Sequence, residues 1–147
     1  MWSKPDNNTG KKGASIMAGL SQKQIEELQR HLRQRHAELR TEIRGELLAA
    51  DDMRYADLAG RVHDSGEESV ADLLSDLDVA RIDRQVNEIR SIEAALRRID
   101  MGVYGVCREC DGDIAYERLQ SQPVAERCVI CQEQHERSYA HEGTPSL

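Results

Sequence analysis

The sequence predicts an all-α protein: a long antiparallel coiled-coil hairpin, then a small C-terminal four-cysteine zinc finger with a short terminal helix. Three observations carry this reading. Only 3% of the 147 residues are aromatic and none is Phe, so a thick two-layer core has little to be built from. Charged residues reach 32% and apolar ones 39%, the Ala/Leu/Ile/Glu/Arg-rich balance that suits long, thin helical packing. Finally, two stretches repeat their apolar side chains at helical spacing, and four cysteines fall in two C-x-x-C pairs near the end.

Residues 1–19 are polar, glycine-containing and aperiodic, which predicts a disordered N-terminal arm; Met17 is an equally good first residue for the ordered part. Ser21 followed three residues later by Gln24 reads as a capping box. Ile25, Leu28, Leu32, Leu39, Ile43 and Leu47 then step by three, four or seven, a narrow seam with Arg and Glu filling the other positions. The pattern fades around Asp51–Tyr55 and stops near Gly60. Residues 60–68, with two glycines, Asp64 and Ser65, form the expected turn. A second seam runs from Val70 through Leu74, Leu77, Ile82, Val86, Ile89, Ile92, Leu96 and Ile99, with Gly102 as its stop. Two such stripes joined by a short loop fold back on each other, so residues 20–103 are expected to form the hairpin, a rod of ~50 Å. Each seam satisfies the other within one chain, so a monomer is expected. Residues 104–147 form the finger lobe with its terminal helix and tail.

Charge narrows the function. The 20 basic residues against 27 acidic ones leave a formal net charge of −7, a poor balance for neutralising phosphates. No apolar run follows Lys4, Lys11 and Lys12, and none is long enough to span a bilayer, so neither a signal peptide nor a membrane span is expected and the reading is cytoplasmic.

The strongest chemical signal is Cys107-x2-Cys110 and Cys128-x2-Cys131. Each pair puts two thiolates on one tight turn, and two such turns complete a tetrahedral sulfur shell that favours one Zn²⁺, with iron the alternative metal. A redox pair of the thioredoxin type requires a βαβ context that the sequence lacks. With four sulfur ligands no position is left for water, so the metal is structural and no catalytic residue is assigned. His135 lies nearby and reads as a surface histidine. Residues 104–135 hold three arginines (Arg108, Arg118, Arg127) against six acids, a net of −3, which argues for a scaffold and against sequence-specific DNA contacts. The second signal is the acidic turn: Asp64, Glu67 and Glu68, with Asp72 and Asp76 after it. Taken alone, it reads as a solvated turn with acids favouring a helix N-terminus.

A coiled-coil hairpin with an acidic turn and a C-x2-C-x17-C-x2-C finger resembles the DksA/TraR family of bacterial RNA polymerase regulators. The resemblance covers roughly residues 25–140 and is strongest over Tyr104–Cys110, Ile114, Arg118, Leu119, Pro123 and Cys128–Cys131. In an ungapped register from the first cysteine backward, Asp64 and Glu67 fall on the two acids of the family's D-x-x-D-x-A motif. The resemblance implies a non-enzymatic factor whose acidic tip enters the polymerase secondary channel and alters open-complex stability, in the setting of the stringent response. Two other readings stand beside it: a Gre-like stimulator of transcript cleavage, and a zinc-stabilised adaptor for another partner. Two departures stand out: Glu67 replaces the second Asp, and Ser69 stands where the motif has Ala. The basic positions that hold guanosine tetraphosphate (ppGpp) in the family correspond here to Ser91, Gln122 and Gln132, which offer the polyanion no charge-assisted contact. Adding ppGpp to in-vitro transcription on a ribosomal promoter, with a polymerase lacking its own ppGpp site, is therefore expected to leave this protein's effect unchanged; an increase contradicts the reading.

Overall fold

The computed structural model describes residues 19–50, 52–66, 68–75 and 82–143, with side chains as far as Tyr139. The expected N-terminal arm up to residue 18, Glu67, Asp76, Leu77 and the last four residues lie outside the described residues. Among the described residues the regular structure is helical: α1 (Gln22–Ala49), α2 (Met53–His63), α3 (Val70–Leu73), α4 (Asp83–Met101), α5 (Tyr116–Ser121) and α6 (Val129–Gly143), with one isolated bridge between Val106 and Asp113. The all-α class, the finger and the terminal helix are as the sequence predicts.

The start of α1 is the predicted capping box. The Ser21 N–H donates to Gln24 Oε1 at 2.9 Å, and the Gln24 N–H donates to Ser21 Oγ at 3.1 Å. Leu20 and Ile25, on either side of the cap, are both buried, the positions of a hydrophobic staple. The described chain divides into two compact units: residues 19–29 with 98–143, and residues 30–97.

Within residues 30–97 the seam reads as expected: Leu32, Leu39, Ile43 and Leu47 of α1 are buried, as are Val86, Ile89 and Ile92 of α4. Ala95 is fully buried whereas Leu96 is half-buried. Arg35 fixes the antiparallel register through Nε to Glu88 Oε2 at 2.7 Å and Nη2 to Glu88 Oε1 at 3.0 Å. Both side chains are about two-fifths exposed, so this pair marks the register and adds little stability.

Continuity of the two arms departs from expectation. The second seam does not make one helix from Val70 to Ile99: α3 ends at Leu73 and α4 begins at Asp83. On the first arm α1 ends at Ala49 and α2 begins at Met53, where the Asp52 carboxylate caps α2 by accepting from the Arg54 N–H at 2.9 Å. Spacing alone cannot separate these arrangements, because apolar residues at helical steps can be buried by a continuous partner or by a helix doubled back. Polar contacts show the second. Arg40, in the middle of α1, donates from Nη2 to the carbonyls of Val62 (3.3 Å) and His63 (3.0 Å), the last of α2. Glu93, in the middle of α4, accepts from the Val70 N–H at 2.9 Å, the Ala71 N–H at 3.4 Å and Ser69 Oγ at 2.7 Å. His36 Nε2 lies 2.8 Å from the same carboxylate. Thus α2 doubles back along α1 and α3 along α4, and α2 packs on α3.

Glu93 carries this arrangement. Burial works against its charge, but the His36, Ser69 and Val70 hydrogen bonds outweigh it and hold the carboxyl below the usual glutamate range. A lowered folded pKa gives stability that is present above the unfolded value and lost as pH falls through the folded one. Glu93→Gln is expected to cost roughly 1–3 kcal/mol in urea unfolding at neutral pH. Its unfolding free energy should also fall less steeply than the parent's between about pH 5 and pH 3; parallel pH profiles contradict this.

Candidate metal centre and acidic turn

The finger begins where α4 stops. Gly102, at φ +78°, takes the left-handed conformation that ends the helix. Its N–H donates to the Ile99 carbonyl at 3.1 Å and that of Val103 to the Arg98 carbonyl at 2.9 Å, the paired bonds of a Schellman motif. Gly102 is thus the stop the sequence predicts. Tyr104 follows, fully buried, with its hydroxyl donating to the Pro123 carbonyl at 2.8 Å. Burial raises its phenol above the ordinary range. Ile114, Leu119 and Ala125 are buried in the same unit.

Two short segments present the cysteines. Around Cys107 the chain makes a tight hairpin: the Cys107 N–H donates to the Gly112 carbonyl at 2.7 Å, and the Asp111 N–H donates back to the Cys107 carbonyl at 3.0 Å. Asp111 closes it in the left-handed region at φ +63°. Cys128 precedes α6, and the Gln132 N–H donates to its carbonyl at 2.8 Å, so Cys131 sits in the helix's first turn. All four Sγ atoms lie within 4.8 Å of one another, Cys110 and Cys128 at 4.0 Å, and none forms a disulfide. A tetrahedral zinc with ~2.3 Å bonds requires sulfur–sulfur edges of ~3.8 Å, so the donor set fits the ion.

Electrostatics agree. Burial opposes a charged Cys107, but the N–H groups of Cys110, Cys128 and Glu109 outweigh it and bring its thiol down to about 6. Cys131, hydrogen-bonded to Cys128, is pushed up to about 12. Four sulfurs this close cannot all ionise on their own; a divalent cation replaces the protons that otherwise hold them together. His135 is not part of the cluster and stacks on Tyr139 at 4.9 Å.

The finger's cations serve the finger. Arg108 pairs with Glu126 at 3.1 Å, Arg127 with Glu109 at 3.1 Å, and Arg118 Nε donates to the Arg127 carbonyl at 3.0 Å. Gln132 donates to Glu136 at 2.7 Å, while Ser91 and Gln122 are exposed.

The turn between α2 and α3 holds the other predicted residues. Asp64 is the exposed C-terminal cap of α2, its N–H donating to the Gly60 carbonyl at 3.0 Å. Glu68 is exposed, and its N–H donates to the Ser65 carbonyl at 2.9 Å. Gly66 takes φ +61°; an added Cβ would meet nothing nearer than the Asp64 carbonyl at 4.0 Å, so conformation and not space calls for glycine. Glu67 lies outside the described residues. Sequence reasoning missed Glu93, His36 and Arg40, and named Tyr104 without giving it a role in the core.

Residues 102–137 match the model of the prokaryotic DksA/TraR C4-type zinc finger. The chain is 37% identical over 83 residues to an RNA polymerase-binding transcription factor DksA of Caulobacter vibrioides, covering 56% of this chain and 54% of that protein. It is 38% identical over 63 residues to general stress protein 16O of Bacillus subtilis, covering 43% of this chain and 37% of that one. The chain thus spans about half the length, or less, of these curated relatives. Among solved structures it resembles the transcription factor DksA2 of Pseudomonas aeruginosa, with a TM-score of 0.58, 28% identity, and coverage of 82% of this chain and 89% of that one.

Within residues 104–139 few apolar side chains are buried beyond Tyr104, Ile114, Leu119 and Ala125, so an ion held by the four cysteines is expected to supply much of the finger's folding free energy. Cys107→Ser, or chelation of the parent, is expected to release one zinc equivalent and abolish the slow amide exchange of Cys107 and Ile114. Retained protection without zinc shows the metal to be dispensable.

Proposed function

The chain is a member of the DksA/TraR family, and from that premise we propose that it is a non-enzymatic, cytoplasmic transcription regulator that binds RNA polymerase as a monomer. The carrying observation is the joint likeness: a four-cysteine finger of the family type together with a structural resemblance to DksA2 over 82% of the chain. In this reading zinc is a structural ion, held by Cys107, Cys110, Cys128 and Cys131, whose chemistry is to cross-link two turns. The regulating element is the acidic turn, with Asp64, Glu67 and Glu68 delivered into the secondary channel to alter open-complex stability.

Several features support this division of labour. The finger's arginines are engaged internally, which suits a lobe that positions the chain and does not read phosphates. Asp64 and Glu68 are exposed and adjacent to a glycine turn, so their charges face solvent and are available to basic groups or a metal ion of a partner. Among the described residues no helix is long and apolar enough to cross a membrane. The ppGpp-independence inferred from Ser91, Gln122 and Gln132 belongs to the same reading.

Exposed carboxylates on a turn also favour the Gre-like alternative, in which the acids position a metal ion for transcript cleavage within the polymerase. Asp64→Asn combined with Glu67→Gln is expected to lower the effect on a ribosomal promoter at least about tenfold while polymerase affinity changes less than about threefold, since most residues of an interface cost little affinity when altered. Loss of binding instead makes the turn an affinity element. RNA shortening in a backtracked complex that depends on these two acids selects the Gre-like reading.

A further inference from the structure

The two cysteine pairs are joined by more than their sulfurs. Glu109 lies inside the first pair, between Cys107 and Cys110, and Arg127 directly precedes Cys128 of the second. Arg127 Nε donates to Glu109 Oε2 at 3.1 Å. The residues beside them pair in the opposite sense. Arg108 donates from Nη1 to Glu126 Oε1 at 3.1 Å, and its backbone N–H donates to the Glu126 carbonyl at 2.9 Å. The sequence thus sets Arg-Glu in the first segment against Glu-Arg in the second, 18 residues on, and each acid meets a base across the site.

The two pairs differ in weight. Arg108 is 56% exposed, so its bridge contributes little. Arg127 is only 13% exposed, and a guanidinium withdrawn from water holds a carboxylate more strongly. Its Nη1 also lies 3.9 Å from Glu126 Oε2, and its carbonyl accepts from Arg118 Nε of α5 at 3.0 Å. Arg98, in the last turn of α4, donates from Nη2 to the carbonyls of Val124 and Ala125, each at 3.4 Å. The segment leading into Cys128 is thereby held from α4, from α5 and from the first cysteine pair, by bonds that involve no sulfur. On the other side the Glu109 N–H donates to Cys107 Sγ at 3.4 Å. The residue whose side chain holds Arg127 therefore supports the buried sulfur with its amide, the position from which outer groups orient metal ligands.

We propose that the Arg127–Glu109 pair is a clasp that retains the metal: it sets how fast the ion is lost, and not whether the four sulfurs bind it. An ion inside a closed four-sulfur shell leaves only when one cysteine pair separates from the other, which is a local opening of the finger. While the clasp is shut, a sulfur that lets go stays near the ion and rebinds, because its pair is tethered at high effective concentration. With the clasp broken, the second pair separates more often and a competing chelator gains entry. Arg127 and Glu109 are thus positioning residues that act through Cys128 and Cys107. The clasp rests on the reading that the four cysteines hold zinc.

The test uses the full-length, zinc-loaded chain and reads the rate of zinc transfer to an excess of a chromogenic chelator. Arg127→Ala and Glu109→Ala are each expected to speed release at least about tenfold, the low end of what outer groups contribute to holding a metal. The double variant should exceed the faster single one by no more than about twofold, since the two side chains act as one pair. Arg108→Ala also removes a cation next to a cysteine but breaks only an exposed bridge, so its rate should stay within about twofold of the parent's. Cobalt in place of zinc should give the parent's ligand-field spectrum in every variant, because the four ligands are unchanged. Glu109 is exposed, so Glu109→Ala decides the matter where Arg127→Ala does not fold. Parental release rates in zinc-loaded Arg127→Ala and Glu109→Ala overturn the clasp alone. Additive effects in the double variant also overturn it, as does an equal gain in Arg108→Ala, which makes the effect one of charge near four thiolates. An altered cobalt spectrum overturns it too, since the pair then shapes the coordination itself. A parent that binds no zinc overturns both the clasp and the reading of the site.

Discussion

One carboxylate organises residues 30–97. Helix α3 is four residues long, far too short to persist unaided, because helix nucleation is costly and each end leaves orphan backbone groups. Its orphan amides at Val70 and Ala71 are taken by Glu93, and that of Asp72 by Ser69 Oγ at 3.0 Å. The negative charge sits at the positive end of the helix, where the backbone dipole favours it. The same carboxylate meets His36 from α1, so a single side chain joins α1, α3 and α4. Where Glu93 places α3, the turn and the end of α2 must follow, because only six residues separate His63 from Val70.

How much of this was legible follows from what each signal encodes. The capping box at Ser21 and Gln24 and the stop at Gly102 are local, requiring only a few residues to agree, and both read correctly. The six seam positions from Ile25 to Leu47 are all buried, because an apolar stripe is a statement about one face of one helix. Which partner covers that face is not in the stripe, so the doubling back of α2 and α3 was invisible. Glu93 is one of many glutamates on charged helices, and nothing in its neighbours distinguishes a half-buried acid from a solvated one. The cysteine spacing was the opposite case: two C-x-x-C pairs restrict geometry so strongly that sequence alone anticipates four sulfurs within 4.8 Å.

The scarcity of aromatic residues acquires a structural meaning in the finger. Its single fully buried aromatic is Tyr104, which spends its hydroxyl on the Pro123 carbonyl and so packs without an unsatisfied polar group. Around it the buried side chains are aliphatic and few, and the rest of the cohesion falls to the four sulfurs and to arginine–glutamate pairs on the surface. The Arg108–Glu126 pair is exposed and contributes little, so an ion on the four sulfurs is expected to carry much of the rest. Conversely, once Arg108 and Arg127 are committed to Glu126 and Glu109, the finger offers a polyanion little that is free of a neighbouring acid.

Ser69 joins the sequence and the structure most directly. It stands where the family motif carries alanine. In this structure its hydroxyl performs two tasks that alanine cannot, accepting from the Asp72 N–H and donating to Glu93 at 2.7 Å. A methyl group at this position leaves the first turn of α3 without its cap, a loss of about 1 kcal/mol, and leaves Glu93 one bond poorer. The departure that seemed merely to vary an acidic motif therefore falls on the joint that keeps the motif folded back. In a chain whose apolar burial is thin, a single serine then bears on where the acids reside.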